Sequence, residues 1–99
     1  MRVIALSTLK VFRERNPAHD DAREPTLAWY RHALGADWAS LADLKTDFRN
    51  ASVLKDGRAV FNLAGNKYPL VVWINYAYRV VYIRFIGTHA QYDSSFRHG

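Results

Sequence analysis

From Ala51 onward apolar residues recur at every second position, whereas before it they recur at every third or fourth. That switch governs the fold class, because a period of two builds half-buried strands and a period near 3.6 builds amphipathic helices. Residues 58–63 alternate, with Ala59, Phe61 and Leu63 on one face and Arg58, Val60 and Asn62 on the other. Residues 67–76 give the longest run: Tyr68, Leu70, Val72, Ile74 and Tyr76 share a face, and Pro69, Val71, Trp73 and Asn75 share its opposite. A third run over residues 80–86 sets Val81, Ile83 and Phe85 against Val80, Tyr82, Arg84 and Ile86. A short strand over residues 52–55 precedes Asp56-Gly57, a preferred hairpin turn because both positions take positive φ. Gly65-Asn66 and a turn near residues 76–79 mark the later connections. Consecutive hairpins make an antiparallel meander.

The first half reads as helices. Residues 2–6 are short and apolar enough for an edge strand. Ser7 is placed to cap a helix to about Arg15 carrying Leu6, Leu9 and Phe12, and Asn16-Pro17 ends it, since the residue before proline avoids the helical region. Asp20-Asp21 reads as a helix-entry feature with no partner in view. Pro25 suits the first turn of a second helix. Leu27, Tyr30 and Leu34 form its apolar face, with Ala33 and Trp29 beside them, and Gly35 stops it. Ser40 caps a single turn carrying Leu41 and Leu44, over Trp38 and Phe48. Helices first and strands afterwards argue an α+β fold. The expected picture has N-terminal helices on one face of a three- to four-stranded antiparallel sheet, a mixed set including Arg84 on the other, and a short C-terminal helix. Residues 94–99 read as frayed.

A length of 99 residues fits one domain over residues 1–99. The absence of cysteine excludes disulfides and thiolate metal sites and fits a cytoplasmic location. No apolar run approaches the roughly 20 residues of a membrane helix, and no signal peptide is read, so no membrane association is expected. The net charge is +5 and the pI about 9.8. Such a balance points to a polyanionic partner, nucleic acid first and an acidic protein second.

The chemistry concentrates at one strand-to-helix junction. Thr88 with Gln91 fits a capping box, which puts His89 at the first helical position and Tyr92 on the same face. Arg84 lies just upstream. The helix N-terminus adds a dipole and free N–H groups that favour a phosphate. These side chains suit metal-free RNA cleavage, in which a ribose 2′-OH attacks the adjacent phosphorus and a 5′-oxygen leaves. His89 is the candidate acid or base, Arg84 a phosphate clamp, and Tyr92 an orienting or stacking group. Lys67 and Arg79 are further basic candidates on turns. His19, His32, His89 and His98 show no metal-ligand spacing, so no metal is expected. No Gly-rich phosphate loop is present, and no cofactor is expected.

Taken together, Phe61-Asn62-Leu63-Ala64-Gly65-Asn66-Lys67-Tyr68, Ile74-Asn75-Tyr76 and Tyr82-Ile83-Arg84-Phe85-Ile86-Gly87-Thr88-His89-Ala90-Gln91-Tyr92-Asp93 resemble the HigB family of toxins, within the RelE-like group. Ala28-Trp29-Tyr30-Arg31 and Ala36-Asp37-Trp38 resemble the family's second-helix region. The resemblance implies a RelE-like compact microbial-ribonuclease fold. It implies an endoribonuclease (mRNA interferase) that cleaves mRNA on the translating ribosome, without a small-molecule cofactor. It also implies inhibition by a HigA-type helix-turn-helix antitoxin. Lys67, Arg84, His89 and Tyr92 match the family's active-site elements, and Asn62, Asn66 and Asp93 match motif positions. Relatives often carry arginine where this chain has Pro69, and a basic or small residue where it has Trp73. Arg58, Asn62 and Arg79 are further candidate RNA contacts, with Arg58 or Arg79 open as a replacement for the arginine missing at 69. Proline lacks a ladder N–H, so position 69 is expected at an edge or a bulge. Pro69 also keeps open a second reading: a catalytically weak RelE-fold protein that binds RNA or an antitoxin and acts mainly in regulation.

Overall fold

The computed structural model describes residues 1–15, 21–54 and 57–96. The alternating half becomes strands β2 (Ser52–Val53), β3 (Arg58–Leu63), β4 (Tyr68–Asn75) and β5 (Val80–Ile86). The helical half becomes β1 (Arg2–Ile4), α1 (Leu6–Arg15), α2 (Arg23–Gly35) and α3 (Leu41–Asp47), and α4 (His89–Phe96) closes the chain. The five strands form one sheet in the order β1-β5-β4-β3-β2. Neighbours in the meander pair antiparallel, and β1 adds a fifth strand parallel to β5, matching Arg2 with Val80 and Ile4 with Tyr82. The N-terminal strand thereby covers part of the edge that β5 would otherwise expose.

Both long helices lie on one sheet face. Leu9 and Phe12 of α1 are buried, and the Phe12 ring meets Tyr68 edge-on at 5.7 Å. On α2 the buried residues are Trp29 and Ala33, whereas Leu34 is exposed and Leu27 and Tyr30 are only partly covered. The expected face of Leu27, Tyr30 and Leu34 is therefore rotated toward Trp29, whose ring packs 5.4 Å from Phe61. Burying an aromatic or large aliphatic side chain is worth roughly 1.5–3 kcal/mol, so the largest apolar side chain of the helix sets its orientation. Trp38 and Phe48 complete an aromatic cluster around Phe61. Ser40 caps α3, its Oγ accepting from the Asp43 N–H at 3.4 Å.

Three local expectations change. Ser7 is not the cap of α1, because the helix begins at Leu6 directly after Ala5, which turns the chain at φ 71°. Residues 94–96, expected to fray, continue α4. Pro69 sits neither at an edge nor at a bulge: it lies in central strand β4, fully buried, opposite Asn62. Its carbonyl accepts from Gly87 N at 3.4 Å, just past the last residue of β5. The missing N–H thus faces the place where the neighbouring strand leaves the sheet, and no ladder is interrupted. Asn16-Pro17, Asp20 and Asp56 fall outside the described residues; Gly57, at φ 84°, takes the left-handed conformation expected of its turn.

Candidate active site

Strand β5 carries one residue more than β4 can match. Val71 pairs with Phe85 and Val72 with Ile83, which leaves Arg84 as the extra residue of a β-bulge. A bulge bends the strand and re-aims a side chain. Strict alternation would place Ile86 beside Arg84 and Phe85 in the core. Instead Ile86 is buried opposite Leu70, and Phe85 joins Val71 on the face away from α1 and α2. Arg84 is turned over Trp73, its guanidinium carbon 4.9 Å from the ring centroid. That cation–π contact fixes the fork of an exposed arginine.

The junction after β5 is tightly built. Thr88 N donates to Gln91 Oε1 at 2.8 Å and Gln91 N donates to Thr88 Oγ1 at 3.2 Å, so the capping box forms in both directions. A Cβ added at Gly87 would collide with the Gln91 amide oxygen and lie 2.8 Å from Phe85 Cζ, so a side chain there displaces the capping amide and the ring. Tyr92 packs against Phe85 with ring centroids 6.3 Å apart. A cleft of about 530 Å³ opens beside β5, between Thr8 and Val11 of α1 and Arg84, Phe85 and Gln91.

His89 is the first residue of α4, and its Nε2 bonds to the Asn66 carbonyl oxygen. A carbonyl only accepts, so Nε2 carries the proton and Nδ1 holds the lone pair of the neutral ring. The β3–β4 turn delivers that carbonyl through left-handed backbone at Ala64, Gly65 and Asn66 (φ 52°, 64° and 72°), conformations that asparagine and glycine tolerate best. Lys67 N closes the turn on Leu63 O at 3.0 Å.

Lys67 itself is engaged. Its Nζ lies 2.9 Å from Asp21 Oδ2, and the Tyr68 hydroxyl donates to Asp21 Oδ1 at 2.5 Å. The phenol and then the ammonium hold the Asp21 carboxyl below its usual range. The same hydrogen bond pushes Tyr68 up to about 12. Asp21 therefore has two partners, contrary to the expectation of none.

The candidates are thus spread along one line. Lys67 and His89 stand at the β3–β4 turn end, and Tyr92 packs beside them on Phe85. Arg84 reaches back toward Trp73. Arg58 and Asn62 are on that same face, away from α1 and α2, opposite Trp73 and Pro69 respectively. Arg79 lies at the other end of the sheet, where its Nε meets Asp37 Oδ1 at 2.6 Å and its guanidinium also donates to the Tyr76 carbonyl. Along β4 that is roughly 23 Å from Lys67, at about 3.3 Å per residue. Three functional partners escaped the sequence: Trp73 beneath Arg84, Asp21 on Lys67, and the Asn66 carbonyl on His89. Cross-strand pairing marks Trp73 once the register is known; the other two are long-range contacts with no local signal.

Among the described residues no His, Asp and Glu cluster is arranged to hold a metal ion, and no helix is long and apolar enough to cross a membrane. No curated protein matches the chain. Residues 22–95, which carry β2 to β5 and the whole junction from Gly87 to Tyr92, match the HigB_toxin family, the RelE-like toxic component of a toxin–antitoxin system, and the chain belongs to that family.

Proposed function

We propose that this toxin is an mRNA endoribonuclease acting on the translating ribosome in the cytoplasm, and that a HigA-type helix-turn-helix antitoxin neutralises it. The observation that carries the reading is His89, oriented by the Asn66 carbonyl at the start of a capped helix so that Nδ1 is its basic atom. In the scheme, Nδ1 takes the proton of a ribose 2′-OH as that oxygen attacks phosphorus. The P–O5′ bond breaks, a 2′,3′-cyclic phosphate forms, and the 5′-oxygen leaves with a proton drawn from water. Arg84 and Lys67 stabilise charge on the phosphate, with Lys67 exchanging Asp21 for the anion, and Tyr92 orients the nucleotide.

Induction in bacteria is expected to arrest growth and cut ribosome-bound mRNA, and joint substitution of Arg84 and His89 by alanine to relieve both. Loss of a positioned acid–base group costs about 10²–10⁴-fold in rate. A wild-type chain that is harmless and cuts no mRNA on ribosomes sinks the reading. The weaker, regulatory alternative draws support from one contact: Lys67 is held by Asp21. RNA binding without cleavage, unchanged by His89→Ala, would favour it.

A further inference from the structure

We propose that Trp73 and Tyr82 form a base-stacking subsite for single-stranded RNA, opened as Arg84 turns from the Trp73 ring to the scissile phosphate. This rests on the RNA-cleaving reading above and adds where the strand lies. Trp29 and Trp38 are 2% exposed, whereas Trp73 is 43% exposed and Tyr82, its cross-strand partner, 39%. Trp73 thus stays open even with the Arg84 guanidinium over its ring, and Tyr82 lies open directly beside it.

The surroundings identify that occupant by charge and shape. Arg58 pairs with Trp73 on one side, Arg84 stacks above it, and Arg2 stands beside Val80 along the β1 edge of the same face. Among the described residues the strands place no Asp or Glu on this face: their positions there are Arg2, Ile4, Ser52, Arg58, Val60, Asn62, Pro69, Val71, Trp73, Asn75, Val80, Tyr82, Arg84 and Phe85. Two exposed rings inside a ring of arginines match alternating bases and phosphates. Val60 and Val71 between the rings and the junction are buried, so the face offers no broad apolar patch for a protein helix. A paired duplex keeps its bases stacked on each other and presents no free π-face, which leaves a single strand. Four residues of β4 separate Trp73 from Pro69, beside the Gly87 junction, or roughly 13 Å at about 3.3 Å per residue. The stacked base therefore lies short of the nucleotide at His89 rather than at the scissile bond.

The test uses the full chain with short oligouridylate and oligoadenylate, in a His89→Ala background so that the RNA survives. Stacking should quench tryptophan fluorescence on titration, and Trp73→Phe should remove that signal while keeping most of the affinity. Trp73→Ala should weaken binding about 5- to 150-fold, the range expected for one base stacked on an aromatic ring. Quenching in the parent protein does not depend on whether any variant folds. Saturable RNA binding without quenching overturns the proposal, as does unchanged affinity in Trp73→Ala. So does a Trp73→Ala variant that keeps RNA affinity and loses its antitoxin instead. If the wild type cuts mRNA and Trp73→Ala binds normally, the subsite fails and the nuclease reading stands. If the parent binds with quenching and the wild type cuts nothing, the reverse holds. If no RNA is bound or cut, both fail.

Discussion

At the level of single residues, Asp21 has the most consequence for the chain's charges. It joins Lys67 from 46 positions away in sequence, which is why no local pattern revealed it. Its pKa is lowered, so its contribution to folding is present above the usual carboxylate value of 3.8 and fades as pH falls through the lowered value. Tyr68 shifts the other way, to about 12, so its contribution is complete below 10.0 and fades as pH rises through about 12. The clasp therefore operates across the whole neutral range. Asp21→Asn should remove one late-titrating phenol, moving it back toward 10.0 and leaving Tyr76, raised by burial, as the late group. Alkaline titration followed by tyrosinate absorbance measures this directly. An unchanged late phase would mean that Tyr68 does not bond Asp21 in solution.

Elements were legible where their signals are local. Strands β3 and β5 run where alternation placed them, and the Thr88–Gln91 box forms as its spacing indicated. What alternation cannot register is one inserted residue. The Arg84 bulge exchanges the faces of Phe85 and Ile86, and it is visible only once β4 is laid alongside. Likewise the parallel pairing of β1 with β5 depends on the helical layer returning the chain to the sheet, which no window near residues 2–4 contains. The bulge also crowds Gly87, since Phe85 turns its ring under the helix cap. Gly87→Ala should cost about 1–3 kcal/mol by overpacking, a fall of about 4–8 °C in Tm per kcal/mol for a domain of this size. Gly35→Ala is the control: nothing lies within 4 Å of its Cβ position, and a less flexible unfolded chain should leave Tm unchanged or slightly raised. Equal melting of the two variants would contradict the packing at the junction.

For the whole molecule, the net charge of +5 indicated a polyanion without saying where it binds, because charge counts ignore where on the fold each cation stands. The fold sorts the cations by position. Arg79, a candidate RNA contact by sequence, is ion-paired with Asp37 at the far end of the sheet. Arg2, Arg58 and Arg84 instead share the face with Trp73. Binding to a single strand releases counterions, and log K falls with log salt by about 0.7 per phosphate neutralised. Three arginines on one strand should therefore give a slope near −2, and replacing any one of them by alanine should flatten it by about 0.7. Arg79→Ala should leave the slope as it was, because the phosphate path does not extend to that turn. Oligonucleotide binding measured across a salt series distinguishes these cases. If Arg79→Ala flattens the slope as much as Arg84→Ala does, the strand runs past the β4–β5 turn, and the Trp73 face is not the only track for the RNA.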